Sequence, residues 1–403
     1  SYMLSDRLGN DPGWDPLQFA INEAHDQGME LHAWINTFPA WRADRAMPPE
    51  TTPLHPYLAH PEWLVCDSAG NPMQTEQGYI TFSPGIPAVR RHVQNVTLDI
   101  VQNYDVDGIH FDYIRYPEGS NNHGYSGDSV SVHRFRSRTD NGLNLSWKSW
   151  QREQVSRFVA DVYNAVTEVK PWVKVSSAVL GHHHGGAWNG YHSVYQDARR
   201  WLAMGKMDII YTMTYTRMDH PTAPYTEAIA QWRQMFHLGR PIVAGIATYK
   251  LGRSYEWQEI KKQVEYVREK GFAGMVFFSA NSLLRKLDDL SSDYYPSAAL
   301  TAPMPWKENV PVVEPNHLVV QSRADSLRFS WQMDDPASNF VLYRHQDIDN
   351  PRHIVAILPG GARSYALPAG DGQQTYYLTA INRTGMESKA VSFEEEKAVA
   401  VKE

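Results

Sequence analysis

The chain has 403 residues, 42% hydrophobic and 21% charged, with 26 Gly and 25 Pro; these proportions suit a globular protein and exclude a disordered, collagen-like or coiled-coil one. At roughly 100–200 residues per domain, with barrels running longer, the length predicts two domains of unequal size. Thirty-eight basic against 45 acidic residues give a net charge of −7 without a basic run, so bulk charge does not draw the surface to nucleic acid, and no run approaches the ~20 apolar residues of a bilayer span.

Helical and strand patterns alternate from the N-terminus to about residue 300. Pro12-Gly13-Trp14-Asp15-Pro16 opens a helix in which Leu17, Ala20, Ile21 and Ala24 keep helical spacing until Gly28 stops it. A strand from Glu30 to Asn36 follows, then a Pro-rich loop over 37–86 and a helix over 87–103. The strand Gly108 to Ile114 leads into a second long loop, 117–145, and a helix over 147–169. The strands Val173 to Leu180, Met207 to Tyr215, Pro241 to Ile246 and Gly274 to Ser279 come next. Helices near 192–204, 225–238 and 255–270 separate them. Short, largely apolar strands of this kind are buried on both faces in a parallel sheet.

Repeated α-then-β units predict a (β/α)8 barrel or a doubly wound sheet. No Gly-rich phosphate loop follows a strand, which favours the barrel and leaves no cofactor to expect. Six strands are visible, and a complete barrel needs two more strands and a helix before Ser1. The reading is therefore a TIM-type barrel over residues 1–304 whose first β-α-β portion lies outside this chain. After Pro305 strand-like runs recur without helices, at 327–331, 340–344, 354–357, 364–367 and 375–380. They predict an all-β sandwich of fibronectin type III character over 311–396, with Trp331 in an early strand and Tyr376 or Tyr377 at a tyrosine corner. The tail Glu394-Glu395-Glu396-Lys397 reads as a solvated end.

The sharpest chemical signal is Asp107-Gly108-Ile109-His110-Phe111-Asp112-Tyr113-Ile114-Arg115-Tyr116-Pro117. Strand alternation points His110 and Asp112 the same way, and Asp112 falls at the carboxyl end, where barrel enzymes keep catalytic groups. A carboxylate there, flanked by His110 and Arg115, suits glycoside hydrolysis; an ion pair with Arg115 alone is the structural alternative. His32, Trp34 and Asn36 share one face of their strand, and with Arg42, Trp188 and Tyr215 they are candidates to line a sugar cleft. Hydrolysis normally needs a second carboxyl group; Glu118, Asp219 and Asp67 are the candidates, and the alternatives are an acid in the barrel portion upstream of Ser1 or the substrate's own acetamide. The run His182-His183-His184 has no carboxylate at ligand spacing, so no metal is assigned to it. Cys66, the lone cysteine, excludes an internal disulfide.

With Pro12 to Leu17, Glu23-Ala24-His25, Glu30 to Asn36, Asp107 to Pro117 and Tyr195-x-Asp197-x-Arg199-x-Trp201-Leu202 followed by Asp208, the chain resembles the bacterial glycosyl-hydrolase-like family 10 over most of residues 1–300. The resemblance implies a (β/α)8 barrel, hydrolysis of a polysaccharide such as cell-wall glycan, and export from the cytoplasm, often as a lipoprotein at the cell surface. The family pattern also begins upstream of Ser1. A more distant likeness is to chitinase-type barrels, whose Asp-Gly-x-Asp-x-Asp-x-Glu motif keeps only Asp112 of its catalytic acids here, His110 and Ile114 standing at the other two. Two rival functions remain open: a non-catalytic carbohydrate-binding protein on a hydrolase-derived barrel, and a polysaccharide deacetylase with metal at His182 to His184.

Overall fold

The computed structural model describes residues 13–42, 47–73, 79–119, 124–186, 188–307, 310–323, 325–335, 337–345, 353–368 and 374–395. The chain divides into two compact units: one is built on His32–Arg285, the other on Gln18–Leu31 together with Lys286–Glu403.

The first unit carries β1 (His32–Asn36), β2 (Pro39–Arg42), β3 (Tyr79–Thr81), β4 (Gly108–Asp112), β5 (Lys174–Leu180), β6 (Ile209–Met213), β7 (Ile242–Ile246) and β8 (Gly274–Phe277). Six of these form one parallel sheet in the order β1-β4-β5-β6-β7-β8, while β2 and β3 make a separate ribbon. The sheet rolls into barrel form, with the Trp34 ring of β1 6.0 Å from the Phe278 ring just past β8.

Alternation divides each strand between interior and helix layer. In β4 the side chains of Ile109 and Phe111 turn outward and are fully buried; Phe111 meets Phe158 of the Trp147–Val169 helix at 5.7 Å. That helix buries Val155, Phe158, Val159, Val162 and Val166 at 3–4-residue spacing, each large side chain contributing about 1.5–3 kcal/mol. His110 and Asp112 take the opposite face and point inward. In parallel register His32 lies beside Gly108, Trp34 beside His110 and Asn36 beside Asp112. A Cβ on Gly108 would fall 2.6 Å from His32 Nδ1, so the imidazole occupies the space that glycine leaves.

Several expected boundaries move, each for a local reason. The strand expected to reach Ile114 ends at Asp112, because Tyr113 takes a left-handed φ of 50°. The loop expected over 37–86 holds the β2–β3 ribbon and a short helix, Pro56–Ala59. The 117–145 loop holds a helix, Ser129–Arg136, capped by Asp128 Oδ1 accepting the Ser131 N–H at 2.8 Å. Tyr195, at φ 58°, breaks the 192–204 segment into Gly190–Ser193 and Ala198–Ala203. No helix among the described residues is long and apolar enough to cross a membrane.

The second unit is a sandwich of two four-stranded sheets. Its strands are β9 (Asn316–Ser322), β10 (Ser326–Gln332), β11 (Asn339–His345), β12 (His353–Pro359), β13 (Ser364–Pro368), β14 (Thr375–Ile381), β15 (Val391–Ser392) and β16 (Glu394–Glu395). The sheets run β13-β10-β9-β16 and β12-β11-β14-β15. Phe329 and Trp331, Phe340 and Leu342, Leu378 and Ala380 alternate inward from the two sheets into one core. The expected solvated tail is corrected at Glu394 and Glu395, whose backbone pairs in parallel with Val319 and Val320. The hydroxyl of Tyr376, expected at a tyrosine corner, donates to Gln374 Oε1 at 3.1 Å. The segment Gln18–Leu31 belongs to this unit: Glu30 Oε1 accepts from Thr301 Oγ1 at 2.8 Å.

Candidate active site

A cavity of about 1090 Å³ opens where the barrel strands end. Asp112, the last residue of β4, is 8% exposed in its lining. Its Oδ1 accepts the Tyr113 N–H at 2.7 Å, a bond the left-handed turn at Tyr113 makes available. The Trp34 side chain also hydrogen-bonds to it. Arg115 Nη1 lies 3.7 Å from the same oxygen, too far for a hydrogen bond. The buried Nη1 has no hydrogen-bond partner among the described residues, and the guanidinium lies over the Tyr113 ring, 4.4 Å from its centre. Burial raises the Asp112 pKa; Arg115, the Tyr113 N–H and Trp34 pull it down, and burial wins.

Deeper in the cavity, His110 Nδ1 lies 3.0 Å from Ser176 Oγ. The same Ser176 hydroxyl also lies within hydrogen-bonding reach of the Ile109 carbonyl, at 3.3 Å. Burial, with His32 nearby, lowers the His110 pKa to about 4. The ring is therefore neutral at neutral pH.

Two aromatic walls flank Asp112. On one side Tyr215 stacks on Phe278 at 5.9 Å and 16°, and Phe278 meets Trp34 edge-on. Burial and the Asp112 charge both hold the Tyr215 hydroxyl in its neutral form. On the other side the β2–β3 ribbon pairs Arg42 with Tyr79. The Arg42 guanidinium lies 5.7 Å over the Tyr79 ring, which packs 5.1 Å from Tyr113. Trp41 and His55 meet edge-on at 5.1 Å on the same side.

Of the residues expected at the site, His32, Trp34, Asn36, Arg42, His110, Asp112, Arg115 and Tyr215 all line this cavity. Trp188 does not: it is 46% exposed on the loop after β5, outside the lining. Nor do the three second-acid candidates. Asp67 closes a turn by accepting the Ala69 and Asn71 N–H groups at 2.9 Å each. Asp219 pairs with Arg217 at 3.2 Å on the surface, and Glu118 lies near Tyr113. Among the described residues Asp112 is the one carboxylate in the lining. His183 is buried among His184, Tyr191 and Trp232, and no group of three or more His, Cys, Asp or Glu among the described residues is placed to hold a metal ion.

Sequence reasoning does not single out Tyr211, Tyr113, Phe278, Tyr79 or His55, which also line the cavity. Tyr211 has the parity of Met213 on β6 and of Tyr215 just past it, so alternation could have found it. Nothing local marks Tyr79, which arrives through the ribbon's long-range pairing, or His55, which caps the Pro56–Ala59 helix and meets Trp41.

The family model described as Glycosyl hydrolase-like 10 matches residues 1–264. "Glycosyl hydrolase YngK" of Bacillus subtilis is 25% identical over 426 residues, covering 97% of this chain and 80% of its own length. "Glycosyl hydrolase DigH" of Escherichia coli is 27% identical over 294 residues, covering 66% of this chain and 63% of its own. Among solved structures, the PgaB (BpsB) glycoside hydrolase domain from Bordetella bronchiseptica aligns at a TM-score of 0.48 and 12% identity, over 66% of this chain and 75% of that one. The extent of the family match, over more than half of the chain, assigns this protein to the Glycosyl hydrolase-like 10 family.

Proposed function

We propose that the barrel unit hydrolyses glycosidic bonds in a polysaccharide, bacterial cell-wall glycan being the substrate class, with Asp112 as the general acid. The observation that carries this reading is the position of Asp112: a buried carboxyl of raised pKa on the lining of a large aromatic cavity. An acid that keeps its proton can deliver it to the glycosidic oxygen as the bond to the anomeric carbon breaks. Arg115 and the neutral His110 shape the field around it, while Trp34, Asn36, Arg42 and Tyr215 hold the sugars. Since no second carboxylate lines the cavity among the described residues, the attacking group comes from the substrate in this scheme: a 2-acetamido oxygen closes on the anomeric carbon as the glycosidic bond breaks, and water later opens the adduct, giving its proton to the Asp112 carboxylate and restoring the acid. The extracytoplasmic location implied by the family resemblance belongs to the same proposal.

The test is Asp112→Asn, assayed on solubilised bacterial cell-wall glycan. Release of new reducing ends should fall about 10²–10⁴-fold, the range of a lost general acid, while glycan affinity stays within a few-fold. Undiminished release rejects Asp112. That Asp112 is the one lining carboxylate among the described residues also favours a second reading, a barrel that binds carbohydrate without cleaving it. It predicts a wild-type protein that binds the glycan and releases no ends.

A further inference from the structure

Tyr249 and Lys250 stand outside the cavity lining, in the short turn Thr248–Lys250 after β7, yet they grip both halves of one aromatic wall. The Tyr249 N–H donates to the Phe278 carbonyl at 2.9 Å. Lys250 Nζ donates to the Tyr215 carbonyl at 2.6 Å, which also accepts from Tyr255 Oη at 3.2 Å. These two carbonyls belong to the residues whose rings stack over the cavity. The Tyr249 ring closes the arrangement edge-on, 5.7 Å from Tyr215 and 5.8 Å from Phe278. Phe278 in turn packs against Trp34, which hydrogen-bonds to Asp112.

The sheet itself does not hold Tyr215. It lies two residues past the end of β6, and the β6–β7 ladder stops at the pair Thr212 and Ala244. Lys250 and Tyr255 supply the bonds that the ladder no longer provides. The ammonium is partly buried and its pKa is lowered by that burial, so this bond is charge-assisted and partly shielded from water, the strong kind of side chain–carbonyl bond.

We infer that Lys250 is a positioning residue for the sugar-stacking wall, setting the angle of Tyr215 through its main chain and so governing glycan affinity rather than proton transfer at Asp112. The sugar part of this inference rests on the proposed function; the grip on Tyr215 does not. Lys250→Met keeps the aliphatic stem and removes the donor, and Tyr255→Phe is a milder variant that removes the second donor if the first fails to fold. In the full chain without ligand, amide hydrogen exchange over residues 214–218 should quicken about tenfold in Lys250→Met, the loss expected for one hydrogen bond to a charged group, with Lys250→Arg restoring protection. The affinity for solubilised bacterial cell-wall glycan should weaken by about the same factor, while kcat and the pH profile of turnover hold. Unchanged exchange at 214–218, or equal glycan affinity in the variant and a wild type that binds, overturns the inference. Faster exchange alongside a wild type that binds no glycan supports the grip and removes the glycan reading instead.

Discussion

Arg115 and Asp112 face each other at 3.7 Å without a hydrogen bond between them. The cation is near enough to favour the charged carboxylate and too far to fix it, so burial decides and the proton stays on at higher pH than for a surface aspartate. Removing the cation therefore has a definite sign. Arg115→Met should move the alkaline limb of the pH–rate profile to higher pH, because the positive charge of Arg115 that lowers the Asp112 pKa is gone. A limb that moves to lower pH, or does not move, shows that Arg115 is not setting that ionisation.

His110 titrates the other way. Its pKa is lowered to about 4 by burial, whereas a free imidazole takes its proton near pH 6.5. The neutral ring thus contributes stability that is present above about pH 6.5 and lost as pH falls toward 4, since the unfolded chain binds the proton first. His110→Asn should remove one proton's share of the slope of stability against pH within that window. Denaturant titrations at closely spaced pH values measure it, and an unaltered slope means that the imidazole is not held neutral.

The barrel interior also makes a steric prediction. Gly108→Ala places a methyl 2.6 Å from His32 Nδ1, and overpacking of this kind costs about 1–3 kcal/mol. The double variant Gly108→Ala with His32→Ala should recover part of that loss, giving a coupling energy that additive sites would not show. Chemical denaturation of the four proteins of the cycle reads it directly.

In the second unit the core depends on aromatic alternation. Phe329 is fully buried between Tyr376 and Phe393 at 4.9 Å each. Phe329→Ala should cost about 3–5 kcal/mol. It should do so while glycan turnover by the barrel unit is retained at temperatures where the variant stays folded. Calorimetry paired with an activity assay separates the two effects.

The parts of this protein legible in its sequence are those fixed by short-range periodicity. Alternation in Gly108–Asp112 places His110 and Asp112 on the interior face, and apolar runs mark all six barrel strands within a few residues. What stays hidden depends on pairing at a distance. Arg42 and Tyr79 meet in a ribbon whose strands are four and three residues long, too short for a pattern to form. Tyr113 ends its strand early through a left-handed φ that a tyrosine rarely adopts. The polar run around Trp188 misleads for a related reason: its neighbour Asn189 is spent locally, with Oδ1 capping a short helix through the His192 N–H. At the C-terminal end, charge in Glu394 and Glu395 suggests solvent while the backbone completes a sheet edge.

An oligosaccharide-bound crystal structure of the Asp112→Asn variant probes the central assignment at the atom concerned. The side-chain amide at position 112 should lie about 2.6–3.2 Å from a glycosidic oxygen, the reach of a proton donor, with one sugar against Tyr215 and Phe278. An oligosaccharide seated in the cavity with every glycosidic oxygen beyond the reach of that side chain would contradict the assignment.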